Sequence, residues 1–327
     1  MASTTSDCEK LTRNISESFG LISSALRKSM RIPVRVSYLV FKKLDVIEDN
    51  SLPFDKQEIF NQVITYLEES VYAKKSSPDM SFIKDALMQV SAHIPRDNKQ
   101  DWLSIKNYEK ILCAYNKLDL DDKKAILKSA KEMTTTMLLF QNKILLKGGQ
   151  FVKSFEELSD YSHGVAGVVG NSLTNIFMNH DKKNEDRYRL LLEKNGRYNR
   201  SEETGIFLQY VNIIKDKKKD ENNKQHFWPS ESEENYLPVT LEEMVKHAKE
   251  YFDAAKEYIA TLPRENFGAR VFSSAALLKA FYELKSMIKH DDPERGRLSG
   301  LRKTGLIIEA LRYTTSNRRI NKLAISN

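Results

Sequence analysis

All-α is the fold class that this 327-residue sequence predicts, and three observations predict it. Only 12 glycines and 8 prolines interrupt the chain, which leaves long breaker-free stretches. Apolar residues recur at steps of three and four, the spacing of one helix face. Alternating β-branched segments are lacking, and so is any fixed-period repeat. Helix after helix joined by short loops predicts one all-α domain, a helical bundle.

The elements follow in order. A polar, disordered stretch at 1–10 precedes Leu11 to Arg27, where Leu11, Ile15, Phe19, Ile22 and Leu26 form one apolar stripe. Val34 to Ile47 continues through Tyr38, Phe41 and Leu44 and ends before Pro53. Phe60 to Tyr72, Phe82 to His93, Tyr108 to Leu118 and Lys123 to Leu146 are further amphipathic helices. Ser154 to Met178 is a long helix unusually rich in small residues. Glu202 to Lys218, Leu241 to Ile259, Val271 to Ile288 and Leu301 to Thr314 complete the set, before a polar tail at 316–327. Turns are expected at Ser76-Ser77-Pro78, Gly148-Gly149, Asn195-Gly196 and Asp291-Asp292-Pro293. Lys182 to Arg200 and Lys217 to Gln225 are the most polar stretches, and the first reads as a solvated loop.

Lys and Arg number 52 against 45 Asp and Glu, a net charge of +7. That excess permits an anionic partner, a diphosphate or a nucleic acid, without choosing between them. The lysines at 217 to 219 have no interleaved aromatic platform, so a nucleic-acid partner is not expected. Cys8 and Cys113 form neither a stapled scaffold nor a metal spacing, and a reduced setting is the default. Met1 to Lys10 lacks the apolar core of a signal peptide, and no window reaches the ~18 uninterrupted apolar residues of a membrane span. A soluble, cytoplasmic protein with at most peripheral membrane contact is therefore expected.

Three segments carry chemistry. In Asp45-Val46-Ile47-Glu48-Asp49 the acids stand at i, i+3 and i+4 of a helix and can converge. Converging carboxylates repel unless a cation neutralises them, and hard Mg²⁺ takes oxygen ligands. The pattern alone occurs by chance roughly once in a chain of this composition, so by itself it is better explained as a solvated acidic helix end. Asn212, Asp216 and Asp220 recur at i, i+4 and i+8, a second oxygen stripe, with Ile206, Phe207, Ile213 and Ile214 toward the core. A charged helix terminus is the plain alternative. Gly164, Gly167 and Gly170 recur every three residues after Tyr161. Interior glycine costs a helix up to ~1 kcal/mol against alanine, so three of them need a reason. Close approach of another helix is one, and room for a long apolar substrate is the other.

Together, in this order, the segments resemble the squalene and phytoene synthase family, the head-to-head prenyl transferases. Tyr38-Leu39-Val40-Phe41-Lys42-Lys43-Leu44 running into Asp45 to Asp49 resembles that family's first aspartate-rich helix. Tyr161 to Gly170 is similar to its tyrosine-containing segment, and Gly205 to Asp216 with Phe227-Trp228-Pro229 to its second aspartate-rich region in the squalene synthase form. The likeness covers roughly residues 11 to 315 and implies an isoprenoid synthase fold around a central apolar cavity. It implies condensation of two farnesyl diphosphates with Mg²⁺ held by Asp45, Glu48, Asp49, Asn212, Asp216 and Asp220. Tyr161 is the implied base. Asp45, Asp49, Asp216 and Asp220 are the implied catalytic acids. Ser18, Phe19, Tyr38, Lys42, Val165, Gln209, Asn212, Lys215 and Lys219 are the implied substrate contacts. Phe41, Phe177 and Phe207 would line an apolar tunnel that keeps water from the cation. Squalene synthases then reduce presqualene diphosphate with NADPH, for which Arg302 and Lys303 are the implied cofactor residues.

The chain departs from the family at charged positions. Ser16-Glu17-Ser18-Phe19 has Glu17 where the family has arginine, and Lys42 and Lys215 stand where it has arginines. Lysine keeps the charge but loses bidentate phosphate geometry. Lys219 replaces a usual glutamate, Gln225 a usual arginine and Gly300 a usual lysine, and Val271 to Leu278 lacks a proline-glutamine pair. A like charge ~6 Å from a bound cation costs roughly 3 kcal/mol at an effective dielectric of ~20. Lys219 is accordingly expected either to pair with Glu17 or to meet a diphosphate directly. The first half-reaction is better supported than the reductive second. Alternatives are a member giving a non-reduced or cyclised terpene, and a catalytically silent relative acting through partner binding.

Overall fold

The computed structural model describes residues 2–50, 55–72, 78–147, 150–194, 196–230 and 237–325, with side chains described except at 2–6, 142–151, 300, 301, 303 and 304. The expected turns at Ser76-Ser77, Gly148-Gly149 and Asn195, and the side chain of Lys303, lie outside the described residues. The chain is all-α as expected. Among the described residues the named strands are a two-residue parallel pair, β1 (Gln150–Phe151) on β2 (Gln225–His226). Contacts gather into two compact units, 1–134 with 175–180, and 135–174 with 181–327. Two of the three divisions, at 134/135 and 174/175, fall inside the continuous helices Leu120–Lys147 and Val168–Asn179, where a sequence shows no linker.

The first unit contains α1 (Ala2–Ile15), α2 (Glu17–Ser23), α3 (Lys28–Asp49), α4 (Lys56–Tyr72), α5 (Ser81–His93), α6 (Lys99–Lys106), α7 (Tyr108–Asn116) and the start of α8 (Leu120–Lys147). Two expectations change here. Residues 2–10 are helical, and the single stripe expected from Leu11 to Arg27 breaks at Ser16, whose Oγ accepts from Phe19 N at 3.3 Å and caps α2. The break lets Gly20 lie directly against Arg13, with 2.7 Å from its Cβ position to Arg13 Cγ. Buried Arg35 then ties the corner together. Its Nε donates to Ser23 Oγ (2.9 Å), its Nη1 to Glu9 Oε1 (2.6 Å) and its Nη2 to Gly20 O (3.0 Å). Every guanidinium nitrogen thus has a partner, which is what makes a buried cation tolerable.

Lys43 is different. It is 1% exposed in the core of α3, and its Nζ has no hydrogen-bond partner among the described residues. Burial pushes its pKa down from the ordinary 10.5 to about 7.

The second unit contains the end of α8, then α9 (Phe155–Ser162), α10 (Val168–Asn179, whose last residues belong to the first unit), α11 (Glu185–Leu192), α12 (Arg200–Asn222), α13 (Leu241–Thr261), α14 (Phe267–His290), α15 (Gly300–Thr314) and α16 (Asn317–Asn321). The one helix expected over Ser154 to Met178 is instead α9 and α10 joined by a π-helical turn, His163–Gly167. Part of the solvated loop expected at Lys182 to Arg200 is helix α11, which buries Tyr188 and Leu191. Gly196, at φ 95°, takes a backbone conformation that glycine adopts without strain. α12 starts from a capping box, Asn199 with Glu202, and packs against α13, α14 and the π-helical turn. The expected polar tail is docked. Ile320 and Leu323 are buried, and Arg270 Nη1 donates to the last carbonyls of α13 while its Nη2 reaches Asn317 Oδ1 at 2.6 Å.

The glycines settle in favour of close helix approach. A Cβ at Gly164 would stand 2.0 Å from Thr136 Oγ1, one at Gly170 2.1 Å from Ser201 O, and one at Gly205 2.2 Å from Ala166 O. Backbone cannot give way as a side chain tip can. Gly170→Ala and Gly205→Ala should each destabilise by about 1–3 kcal/mol, whereas Gly305→Ala, which meets nothing within 4 Å, should add up to ~1 kcal/mol. Thermal unfolding of the three variants checks this; equal losses at all three would refute it. Lys43→Met should stabilise by about 1–3 kcal/mol at pH 7, because it removes an unsatisfied buried polar group. The unfolded chain holds the Lys43 proton up to about pH 10.4 and the folded chain only to about 7. Stability therefore rises with pH between those values and carries the whole penalty below 7. Chemical denaturation from pH 7 to 10 should show a positive slope in the parent chain that is smaller in Lys43→Met.

Candidate active site

The first acidic segment closes the C-terminal turns of α3. Asp45, Glu48 and Asp49 each bring a carboxylate oxygen to within 4.8 Å of the others, with Glu48 buried, Asp45 half-buried and Asp49 exposed. Helical spacing alone produces this convergence, as the sequence predicts. Lys42 stands at its edge, its Nζ 2.9 Å from Asp45 Oδ2 and 3.1 Å from Asp101 Oδ1. Burial pulls the Lys42 pKa down, but Asp45, Asp101 and Asp49 outweigh it and hold the ammonium above its ordinary range. Lys56 Nζ donates to Glu48 O at 2.6 Å. Asp101, on α6, is a partner that sequence reasoning missed, since nothing in the sequence marks α6 as lying against α3.

Phe19 and Tyr38 stack with ring centroids 4.1 Å apart, and Ser18, next to Phe19 on α2, is half-buried. Glu17 is exposed on the rim of a groove it shares with Arg13, Asn14, Leu21 and Gln100. Another convergent group in this unit is Asp119, Asp122 and His180. Two of its members are joined by a hydrogen bond, His180 Nε2 lying 2.7 Å from Asp122 Oδ2, and Asn179 Nδ2 donates to Asp122 Oδ1 (3.0 Å). The hydrogen bond to Asp122 raises the His180 pKa.

In the second unit the second segment runs along α12. Asn212 is exposed, Asp216 and Asp220 are half-buried, and Lys219 is exposed. Asp216 Oδ1 lies 3.5 Å from Arg297 Nη2. Lys215 is mostly buried; its Nζ donates to Asn212 Oδ1 at 2.9 Å and lies 3.6 Å from Glu283 Oε2 on α14. Burial lowers its pKa, Glu283 raises it and neighbouring Lys279 lowers it again, with a net fall. Glu283, Lys279 and Arg297 were all missed by sequence reasoning, because their relation to α12 is purely tertiary.

Tyr161, at the end of α9, is buried between Phe227 (4.7 Å, stacked) and Phe140 (4.9 Å, edge-on). The Phe227-Trp228-Pro229 segment thus packs beneath the tyrosine. Trp228 lies under Lys217 Nζ at 4.0 Å and donates from Nε1 to Ile213 O. Val165 lines the buried side of the π-helical turn, where His163 Nε2 lies 3.2 Å from Glu202 Oε1. Gln209 is half-buried on α12, Gln225 pairs with Gln150 in the strand pair, and Arg302 is exposed on α15 with its guanidinium 5.0 Å from the Tyr282 ring. No described helix is long and apolar enough to cross a membrane.

A family model described as squalene/phytoene synthase matches residues 12–287. The squalene synthase of Schizosaccharomyces pombe is 27% identical over 68% of this chain and 44% of its own length. The human squalene synthase is 26% identical over 72% of this chain and 49% of its own. The chain therefore aligns with about half the length of these relatives. Among solved structures, a ligand complex of TcSQS superposes with a TM-score of 0.72 over 98% of this chain and 89% of that one, at 20% identity. At that identity the likeness is one of fold.

Proposed function

We propose a function from one premise: the chain belongs to the squalene/phytoene synthase family. The reaction is Mg²⁺-dependent head-to-head condensation of two farnesyl diphosphates to presqualene diphosphate, followed with NADPH by reduction to squalene. The observation that carries it is the convergence of Asp45, Glu48 and Asp49 with Lys42 at their edge. Three carboxylate oxygens that close fit a hard cation, so these residues would hold Mg²⁺, with Asn212, Asp216 and Asp220 as the second set. Mg²⁺ there would supply charge neutralisation for the departing diphosphate.

The chain's own residues do the remaining work in this reading. Lys42 and Lys215 bind phosphate oxygens as point charges. As the C1–O bond of one farnesyl diphosphate breaks, its electron pair leaves with the diphosphate. The C2=C3 double bond of the second molecule attacks C1, and a proton is lost as the cyclopropane closes. Tyr161 Oη takes that proton and passes its own to the released diphosphate. The faces of Tyr161, Phe140 and Phe227 favour the transient cation, a contact worth about 0.5–2 kcal/mol per ring. Arg302, exposed and always charged, is the group for the NADPH phosphate.

A second reading, a relative that binds partners without turnover or stops before reduction, is favoured by Asp216 already facing Arg297. Product identification separates the two. The chain is incubated with farnesyl diphosphate and Mg²⁺, with and without NADPH. Squalene formed only with NADPH is the expected result. A product independent of NADPH limits the chain to the first stage or to a cyclised terpene, and no turnover favours the silent relative. Asp45→Asn and Asp49→Asn should each lower kcat by about 10²–10³-fold, the usual loss when one electrostatic contact to a departing group is removed.

A further inference from the structure

On the second unit two ammonium groups share one buried carboxylate. Glu283, with its side chain 4% exposed, accepts from Lys279 one turn earlier on α14, at 2.8 Å to Oε1 and 2.9 Å to Oε2. Lys215, from α12, approaches the same Oε2 at 3.6 Å. The two ammoniums are therefore close neighbours, and one carboxylate cannot neutralise both. Asp216, the next acid along α12, is already opposite Arg297 at 3.5 Å. Three cations against two carboxylates leave one positive charge, most of it on groups largely removed from water.

Two lysines crowded onto one acid repel each other, and folding alone gives no reason to keep both charged. A multiply charged anion gives one, because it relieves the excess charge and can accept from both ammoniums at once. The stem of Lys215 is held in place, since the Cβ position of Gly296 lies 3.2 Å from its Cγ and 2.8 Å from Met287 Sδ. Lys279 is anchored through both oxygens of Glu283 yet keeps 27% of its side chain exposed, so a donor remains for a ligand.

We infer that Lys279, anchored by Glu283, is a substrate-binding residue that joins Lys215 in gripping the diphosphate of a prenyl diphosphate. The inference rests on the function proposed above. It also supplies what a single lysine lacks: two point charges side by side can engage two phosphate oxygens, as one guanidinium does.

Titration calorimetry with inorganic pyrophosphate and Mg²⁺ on the full chain tests it. Lys279→Met should weaken pyrophosphate binding by about 10–100-fold, the range for losing a charged hydrogen bond. Lys279→Arg should restore most of the affinity. Lys285→Met, on an exposed lysine of the same helix, should leave it unchanged. Should Lys279→Met fail to fold by thermal unfolding, Lys279→Gln takes its place. Binding by the parent chain with no loss in the Lys279 variants overturns the inference and leaves the proposed function standing. No pyrophosphate binding by the parent chain overturns both.

Discussion

The backbone contact at Gly205 sets the geometry of the second unit. α12 approaches the π-helical turn so closely that a Cβ at 205 would fall 2.2 Å from Ala166 O, and Gly170 meets Ser201 O in the same way. Contact between two backbones allows neither sliding nor rotation of α12. At 3.6 residues per turn, the face that carries Gly205 carries Asn212 about two turns later and Asp216 about three. The face that locks the helix is thus the face that presents the oxygen groups, and the glycine determines where they point. Lys219 borders the same face. Its charge belongs to that stripe by geometry and not by proximity in sequence alone.

Both acidic segments are managed by lysine, and by different means. On α3, Lys42 is held between Asp45 and Asp101, so its charge offsets acids that would otherwise repel. One residue further on, Lys43 turns into the core, where its Nζ has no hydrogen-bond partner among the described residues. The two adjacent lysines have opposite fates because successive helix positions are about 100° apart. On α12 the order is reversed: Lys215 turns inward toward Glu283 and Lys218 outward to Glu294. A net charge of +7 says nothing of this. What matters for an anionic ligand is where positive charge exceeds its local partners, and Glu283 is where that is visible.

Much of this was legible in the sequence, and the rest was hidden for physical reasons. Long amphipathic helices such as α4 and α13 were readable because burial of one face imposes the period of the helix. The break at Ser16 was not, because an N-cap changes the chain's direction without interrupting the apolar spacing on either side. α6 and α11 were missed because short, polar helices are stabilised by their neighbours more than by their own pattern. Of the site, Asp45, Glu48 and Asp49 were legible since their convergence is local to one helix. Asp101, Glu283 and Arg297 were invisible because each reaches its partner from another element of its unit, and Lys279 because it meets α12 only through Glu283.

The tyrosine segment shows how local pattern and tertiary contact combine. Tyr161 and Gly164 stand three residues apart and face the same neighbour, α8, where Phe140 and Thr136 stand four apart. Tyr161 meets Phe140 and Gly164 meets Thr136, the pairing of two helices that run in opposite directions. Gly167 and Gly170 face the other way, toward Glu202 and Ser201 on α12. A three-residue glycine repeat in a regular helix would drift steadily around its axis. The π-helical turn, which contains Gly164 and Gly167, divides the repeat into one glycine for α8 and two for α12. The segment is therefore clamped on both sides by missing side chains, and Tyr161 is brought against Phe140 because position 164 leaves room for α8 to approach.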